Sequence, residues 1–139
     1  MRKKLLILAL FITFSMSYKE ETKAASNSTF VKELLLKIQG QKPMILTVYP
    51  GGSINTTKGN DILFSIKFIG SPKPSYKVYK DNKQIFNSSK YKIEMYKDED
   101  KVAVIIYNID TSDAGKYKIV ISNELGSDEV TFDINVADK

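Results

Sequence analysis

The stretch that decides the fold runs Asp113-Ala114-Gly115-Lys116-Tyr117-Lys118-Ile119-Val120-Ile121-Ser122-Asn123-Glu124-Leu125-Gly126. Within it, Tyr117, Ile119 and Ile121 alternate with Lys118, Val120 and Ser122. A period of two sends the first set to one face of a β-strand and the second set to the other. One face is therefore apolar and needs a core, while the other is largely polar and faces water. Asp113 and Gly115 before the run, and Leu125-Gly126 with Ser127 after it, are turn residues that bound the strand.

The same period recurs on both sides. Phe64, Ile66 and Phe68 alternate with Ser65 and Lys67, and Tyr76 and Val78 alternate with Lys77 and Tyr79. Val104 and Ile106 are followed by Ile109. Val130, Phe132, Ile134 and Val136 alternate with Thr131, Asp133 and Asn135. Turn signals separate the runs, among them Pro50-Gly51-Gly52, Lys58-Gly59-Asn60, Gly70-Ser71-Pro72, Asp81-Asn82 and Asp98-Glu99-Asp100. Short half-buried strands at regular spacing, with no long helix between them, predict an all-β antiparallel sandwich or barrel.

From about Pro43 to Val136 the residues resemble intermediate-set (I-set) immunoglobulin domains. Gly70-Ser71-Pro72-Lys73-Pro74 followed by Val78-Tyr79-Lys80-Asp81-Asn82 is similar to the family's G-x-P-x-P turn and W-x-K-D-G strand. Asp113-Ala114-Gly115-Lys116-Tyr117, with Ile119, Asn123 and Gly126, is similar to its D-x-G-x-Y-x-C-x-x-x-N-x-x-G segment. The resemblance implies an immunoglobulin-like β-sandwich of two antiparallel sheets with Greek-key connections over residues 43–137. It further implies a tyrosine corner, with Tyr117 in the core and hydrogen-bonded to nearby backbone, Gly115 giving room and Asp113 bonding in the turn. The family's two cysteine positions fall on Ile66 and Ile119, and its tryptophan position on Val78. Aliphatic packing must then replace the bond between the sheets. That substitution also permits folding in a reducing compartment, as in muscle modules of the titin and twitchin type.

The first 17 residues read as a secretory signal peptide. Arg2-Lys3-Lys4 precedes an apolar run from Leu5 to Phe14, and Ser15 and Ser17 are small residues before a cut after Ser17, with a second candidate cut near Ala24. The run is too short for a comfortable membrane span, and no second apolar run follows, so no stable membrane insertion is expected after cleavage. Residues 18–42 form a polar segment. Phe30, Leu34 and Ile38 within it, with Val31 and Leu35 alongside, predict a short helix over about 30–38. Asn27, Asn55 and Asn87 head Asn-x-Ser/Thr sequons, placed in the tail and in loops, and are candidates for N-glycosylation.

Composition removes whole classes of chemistry. The chain of 139 residues has no cysteine, histidine or tryptophan. No disulfide, thiolate or imidazole metal site, or histidine-based nucleophile can be built from it. Removing residues 1–17 takes away Arg2, Lys3 and Lys4 and lowers the formal charge from +5 to +2. The remaining lysines are scattered rather than clustered, which argues against nucleic acid as a partner. Asp98-Glu99-Asp100 is the densest carboxylate group, but flanking Lys97 and Lys101 favour a solvated turn over a calcium site. Gly51-Gly52-Ser53 lacks the lysine and helix of a phosphate loop. No catalytic, cofactor-binding or metal-binding set is expected.

Surface remains. With Tyr76, Val78, Ile119 and Ile121 facing inward, Lys77, Tyr79, Lys118 and Val120 face outward on neighbouring strands, joined by Lys116 and Asp133. Tyrosine and valine framed by lysines suit a protein-binding face. A lone sandwich also has edge strands that invite weak self-association. The sequence therefore predicts a secreted, extracellular protein with one immunoglobulin domain, binding an extracellular or cell-surface protein in adhesion such as neuronal or muscle cell contacts. The alternative is an intracellular structural module of the titin and twitchin type.

Overall fold

The computed structural model describes residues 31, 32, 34 and 39–138. The expected signal peptide over 1–17 lies outside them. So does most of the expected helix over 30–38, of which Val31, Lys32 and Leu34 are described and helical, as is the adjoining Gln39.

From Gln41 onward the alternating runs form strands. In chain order these are β1 (Gln41–Tyr49), β2 (Ile54–Thr57), β3 (Ile62–Ser71), β4 (Ser75–Lys80), β5 (Lys83–Ile85), β6 (Tyr91–Tyr96), β7 (Lys101–Ile106), β8 (Gly115–Asn123) and β9 (Gly126–Ala137). A 3-10 turn at Thr111–Asp113 precedes β8. They make two sheets, one ordered β1-β3-β7-β6 and the other β2-β9-β8-β4-β5. The pairs β3–β7, β6–β7, β4–β5, β4–β8 and β8–β9 are antiparallel. β2 departs from that pattern: it runs parallel to β9, with Ile54 opposite Ile134. The result is an immunoglobulin-like sandwich.

The core is the set of inward-facing residues of both sheets. Phe64, Ile66, Val78, Val104, Tyr117, Ile119, Ile121, Phe132 and Ile134 belong to one buried cluster. The three positions where the family carries its cysteines and tryptophan are sealed by apolar packing: Ile66 is 1% exposed, Ile119 0% and Val78 1%. Fully burying an aliphatic side chain contributes roughly 1.5–3 kcal/mol. The two isoleucines thus supply hydrophobic stabilisation where a disulfide would constrain the unfolded chain. Aromatic packing adds to it, with the Phe64 and Phe132 rings 4.6 Å apart and Phe64 edge-on to Tyr117 at 5.7 Å.

Two turns fix the register of the sheet that carries the outward face. Asp81 and Asn82 both have positive φ, 46° and 67°, between the paired residues Lys80 and Lys83. Two left-handed residues in a two-residue loop match the twist of a tight hairpin, and Asp and Asn tolerate that conformation best among non-glycine residues. The loop Glu124-Leu125 likewise joins Asn123 to Gly126 and sets every β8–β9 pair behind it. β3 runs through Gly70 and Ser71, which the sequence reading assigns to a turn. The strand extends because Gly70 leaves space for Pro74: a Cβ there would lie 2.6 Å from the proline ring.

Candidate protein-binding face

The outward residues of β4, β8 and β9 come together as the alternation predicts. Lys77 pairs with Val120 and Tyr79 with Lys118 across β4–β8. Lys116 pairs with Asp133, Lys118 with Thr131 and Val120 with Glu129 across β8–β9. Lys77 and Lys116 are exposed, while Tyr79, Lys118, Val120 and Asp133 are half-buried.

The face is not a simple basic rim around a tyrosine. The Lys116 ammonium lies 3.0 Å from Asp133, and that of Lys118 lies 4.0 Å from Glu129 and 5.2 Å from the centre of the Tyr79 ring. Lys118 therefore covers part of the ring, through the attraction between a cation and an aromatic face. Lys77 has no ion-pair partner among the described residues. Glu129 and Gln84, the latter opposite Tyr79 on β5, belong to the same face and are absent from the sequence reading. Glu129 could be found from the two-residue turn, which fixes it opposite Val120. Gln84 needs the β4–β5 hairpin, whose second strand is only three residues long.

At one end of the face the chain turns a braced corner. Tyr117 is fully buried, and its hydroxyl donates to the carbonyl oxygen of Asp113 at 2.7 Å. Burial pushes the phenol well above the usual tyrosine range. The Asp113 carboxylate accepts from the backbone N–H of Asp110 at 2.8 Å and pairs with the Lys90 ammonium at 2.6 Å. Lys90 is a part of this corner that the sequence reading lacks, because 23 residues separate it from Asp113 and no local motif links them. Gly115 has φ +147°, and a Cβ there would lie 2.7 Å from both carboxylate oxygens of Asp81. Asp81 occupies that space because it accepts from the Lys116 backbone N–H at 3.0 Å, a bond that holds its carboxyl below the usual carboxylate range.

The remaining candidates resolve individually. Asp98, Glu99 and Asp100 lie in the turn between β6 and β7, where Asp100 pairs with Lys73 at 3.2 Å and Glu99 with Lys101 at 3.9 Å. Asn27 lies outside the described residues. Asn55 is on β2 rather than in a loop, and its side-chain oxygen accepts from Asn135 at 3.0 Å. Asn87 is in a loop, but its amide is bound to both backbone groups of Ile93, at 3.1 and 2.6 Å. No helix among the described residues is long and apolar enough to cross a membrane.

Residues 43–136 match the immunoglobulin I-set domain family. Titin of Drosophila melanogaster is 33% identical over 91 residues, covering 66% of this chain and, to the nearest per cent, 0% of that protein. Fast-type myosin-binding protein C of Gallus gallus is 26% identical over 86 residues, covering 62% of this chain and 8% of that protein. The muscle M-line assembly protein unc-89 of Caenorhabditis elegans is 30% identical over 83 residues, covering 60% of this chain and 1% of that protein. The chain thus spans less than a tenth of the length of the curated relatives it matches. Among solved structures, titin domain M7 superposes with a TM-score of 0.65 at 26% identity, over 70% of this chain and 96% of that one. The titin domains z1z2 in complex with telethonin superpose with a TM-score of 0.66 at 21% identity, over 72% of this chain and 49% of that one.

These relatives overturn the expectation of a secreted, extracellular protein. They are intracellular sarcomeric proteins, and the reading of residues 1–17 as a secretory signal, of the sequons as glycan sites and of the domain as a cell-adhesion module finds no support among them. An extracellular or cell-surface origin for the partner likewise finds no support among them. The physical reason was already in the core: Ile66 and Ile119 stand where an oxidising compartment would reward a disulfide. By its match over residues 43–136 the chain belongs to the immunoglobulin I-set family, whose domains are non-enzymatic structural and binding modules.

Proposed function

We propose that this chain acts as a structural module of the muscle-filament type and holds a protein partner on the outer face of the β2-β9-β8-β4-β5 sheet. One observation carries the reading. The buried aliphatic residues Ile66, Val78 and Ile119 fill the positions where the family carries its cysteines and tryptophan, within a core that keeps its packing in a reducing cytoplasm. Kinship to titin, myosin-binding protein C and unc-89 supplies the filament context. A sandwich of the same fold in titin z1z2 is seen in complex with the protein telethonin, which supports a protein as the class of partner. Tyr79 and Val120 offer apolar contact, and Lys77, Lys116, Asp133 and Glu129 offer the polar rim that such interfaces carry.

The test is to express the tagged full chain in cultured striated muscle cells. Periodic bands that survive detergent extraction are expected, and they should fade in the Tyr79→Ala and Val120→Asp variants while both remain folded by circular dichroism. A diffuse distribution of the parent chain, or its export to the medium, would sink the filament reading. Bands that persist unchanged in both variants would remove the partner from this face.

A further inference from the structure

The two sheets do not close flush on the side where β5 leads into β6. A cleft of about 200 Å³ opens there. Val78 and Ile93, one from each sheet, are nearly fully buried on its lining, and Ile85 sits beside Val78 across the β4–β5 ladder. Phe86 follows in the lining and is 66% exposed, and Lys77, Gln84 and Asn87 make the remainder of the lining polar. One wall is pinned, because the Asn87 amide spans the N–H and the carbonyl of Ile93. A pinned wall means that little chain entropy is lost when the cleft is filled.

Size and charge narrow the occupant. Sites for cofactors and drug-sized ligands span roughly 300–1,000 Å³, whereas a smaller cleft suits a single large side chain. β5 is the last strand of its sheet, so an extended segment can run past its free edge and drop alternate side chains inward. Lys77 is the charged residue of the lining, and Lys83 stands nearby at the far end of β5. Neither has an ion-pair partner among the described residues. The nearest carboxylates in sequence, Asp81 and Glu94, are already paired with Lys80 and Lys92.

We propose that this cleft seats one large aliphatic or aromatic side chain of an extended, acidic segment of a protein partner. The site lies at the β5 edge and shares Lys77 and Gln84 with the border of the Tyr79–Val120 face, but seating the side chain does not require that face to be occupied.

The probe is a ten-residue synthetic peptide with one central leucine among aspartates and glutamates, titrated into the isotopically labelled full chain and followed by amide chemical shifts. Saturable shifts are expected at Val78, Ile85, Phe86, Asn87 and Ile93. Phe86→Ala, and separately Lys77→Glu with Lys83→Glu, should each weaken binding by about tenfold or more, whereas Lys67→Glu, exposed on β3 of the opposite sheet, should change it by less than about twofold. Both cleft variants alter exposed side chains, so the fold is retained. Two control peptides complete the test, one with alanine for the leucine and one with lysines for the acids. Absence of saturable shifts, or binding of either control as tight as that of the acidic leucine peptide, would overturn the proposal. Muscle-cell banding reads out the sheet face independently, so failure of one reading is not failure of the other.

Discussion

The hydroxyl of Tyr117 donates to the carbonyl oxygen of Asp113 across 2.7 Å, and both groups are buried. This bond fastens β8 to the 3-10 turn that precedes it, while the same aspartate's carboxylate holds Lys90 at the approach to β6. Tyr117→Phe keeps the ring and leaves a buried acceptor without its donor, which costs about 1–3 kcal/mol. Urea unfolding at pH 7 should show that loss with the slope unchanged.

The same variant makes an alkaline prediction whose sign follows from linkage. Burial raises the folded Tyr117 phenol above its unfolded value, which is about 10. Its contribution is fully present below that value. As pH rises past it, the unfolded chain releases the proton and the folded chain keeps it, so stability falls by up to about 1.4 kcal/mol per pH unit from this group alone. Tyr117→Phe lacks that component. The stability gap between parent and variant should therefore narrow between about pH 9 and pH 11. A constant gap across that range would show that the hydroxyl is free to ionise in the fold.

Gly115→Ala should be costly for two separable reasons. Its φ of +147° is a conformation that L-residues rarely adopt, and its new Cβ would meet both oxygens of the Asp81 carboxylate. Backbone strain of this kind costs on the order of 1–3 kcal/mol. Adding Asp81→Ala removes the collision and leaves the strain. The double variant should regain part of the loss in thermal midpoint, and full recovery would assign the whole penalty to the carboxylate.

Much of this corner was legible and part was not. The period of two placed Tyr117, Ile119 and Ile121 inward and Lys118 and Val120 outward, because every core-facing position on β8 is apolar. β6 carries the same signal in Tyr91, Ile93 and Met95, but the sequence reading passes over it, and its pairing with β7 is seen only in the structure. β2 was invisible by comparison. Ile54–Thr57 is four residues with one buried apolar side chain, and it becomes a strand through parallel pairing to the end of β9. The same limit hid Lys90 from Asp113. Contacts between distant segments depend on how sheets pack, and period and turn chemistry report only on neighbours along the chain.

Acid should weaken the turns before the core. Backbone N–H donors lower the carboxyls of Asp81 and Asp110, the first from Lys116 and the second from Thr111. A lowered folded value means that the stabilisation is present above the unfolded value of about 3.9 and is lost as pH falls through the folded one. Thermal midpoints measured from pH 5 to pH 2 should decline, and Asp110→Ala should flatten the lower part of that decline. A variant that declines as steeply as the parent would remove Asp110 from the cause.

Tyr79→Ala should cost some stability as well as partner binding. The sequence reading treats Tyr79 as a free surface ring, whereas Lys118 lies over it and Gln84 sits opposite. Losing a partly exposed cation–ring contact costs about 0.5–1 kcal/mol. Tyr79→Phe retains the ring face and should recover that stability. Equal midpoints for the alanine and phenylalanine variants would show that Lys118 gains nothing from the ring.

The family's missing bond can be put back as a test of the alignment between the sheets. Ile66→Cys with Ile119→Cys removes two buried side chains from one core cluster, and under reducing conditions the double variant should lose about 1–3 kcal/mol through the space left behind. Under oxidising conditions a bond between the two positions would close a loop of more than fifty residues, and such cross-links typically return about 2–4 kcal/mol. The expected result is a variant below the parent when reduced and near or above it when oxidised, with the intact mass falling by two hydrogen atoms. Failure to oxidise would mean that the isoleucines hold the sheets at a spacing a disulfide does not fit. In that case the aliphatic core has moved the two sheets relative to one another, and it does more than fill the place of the lost bond.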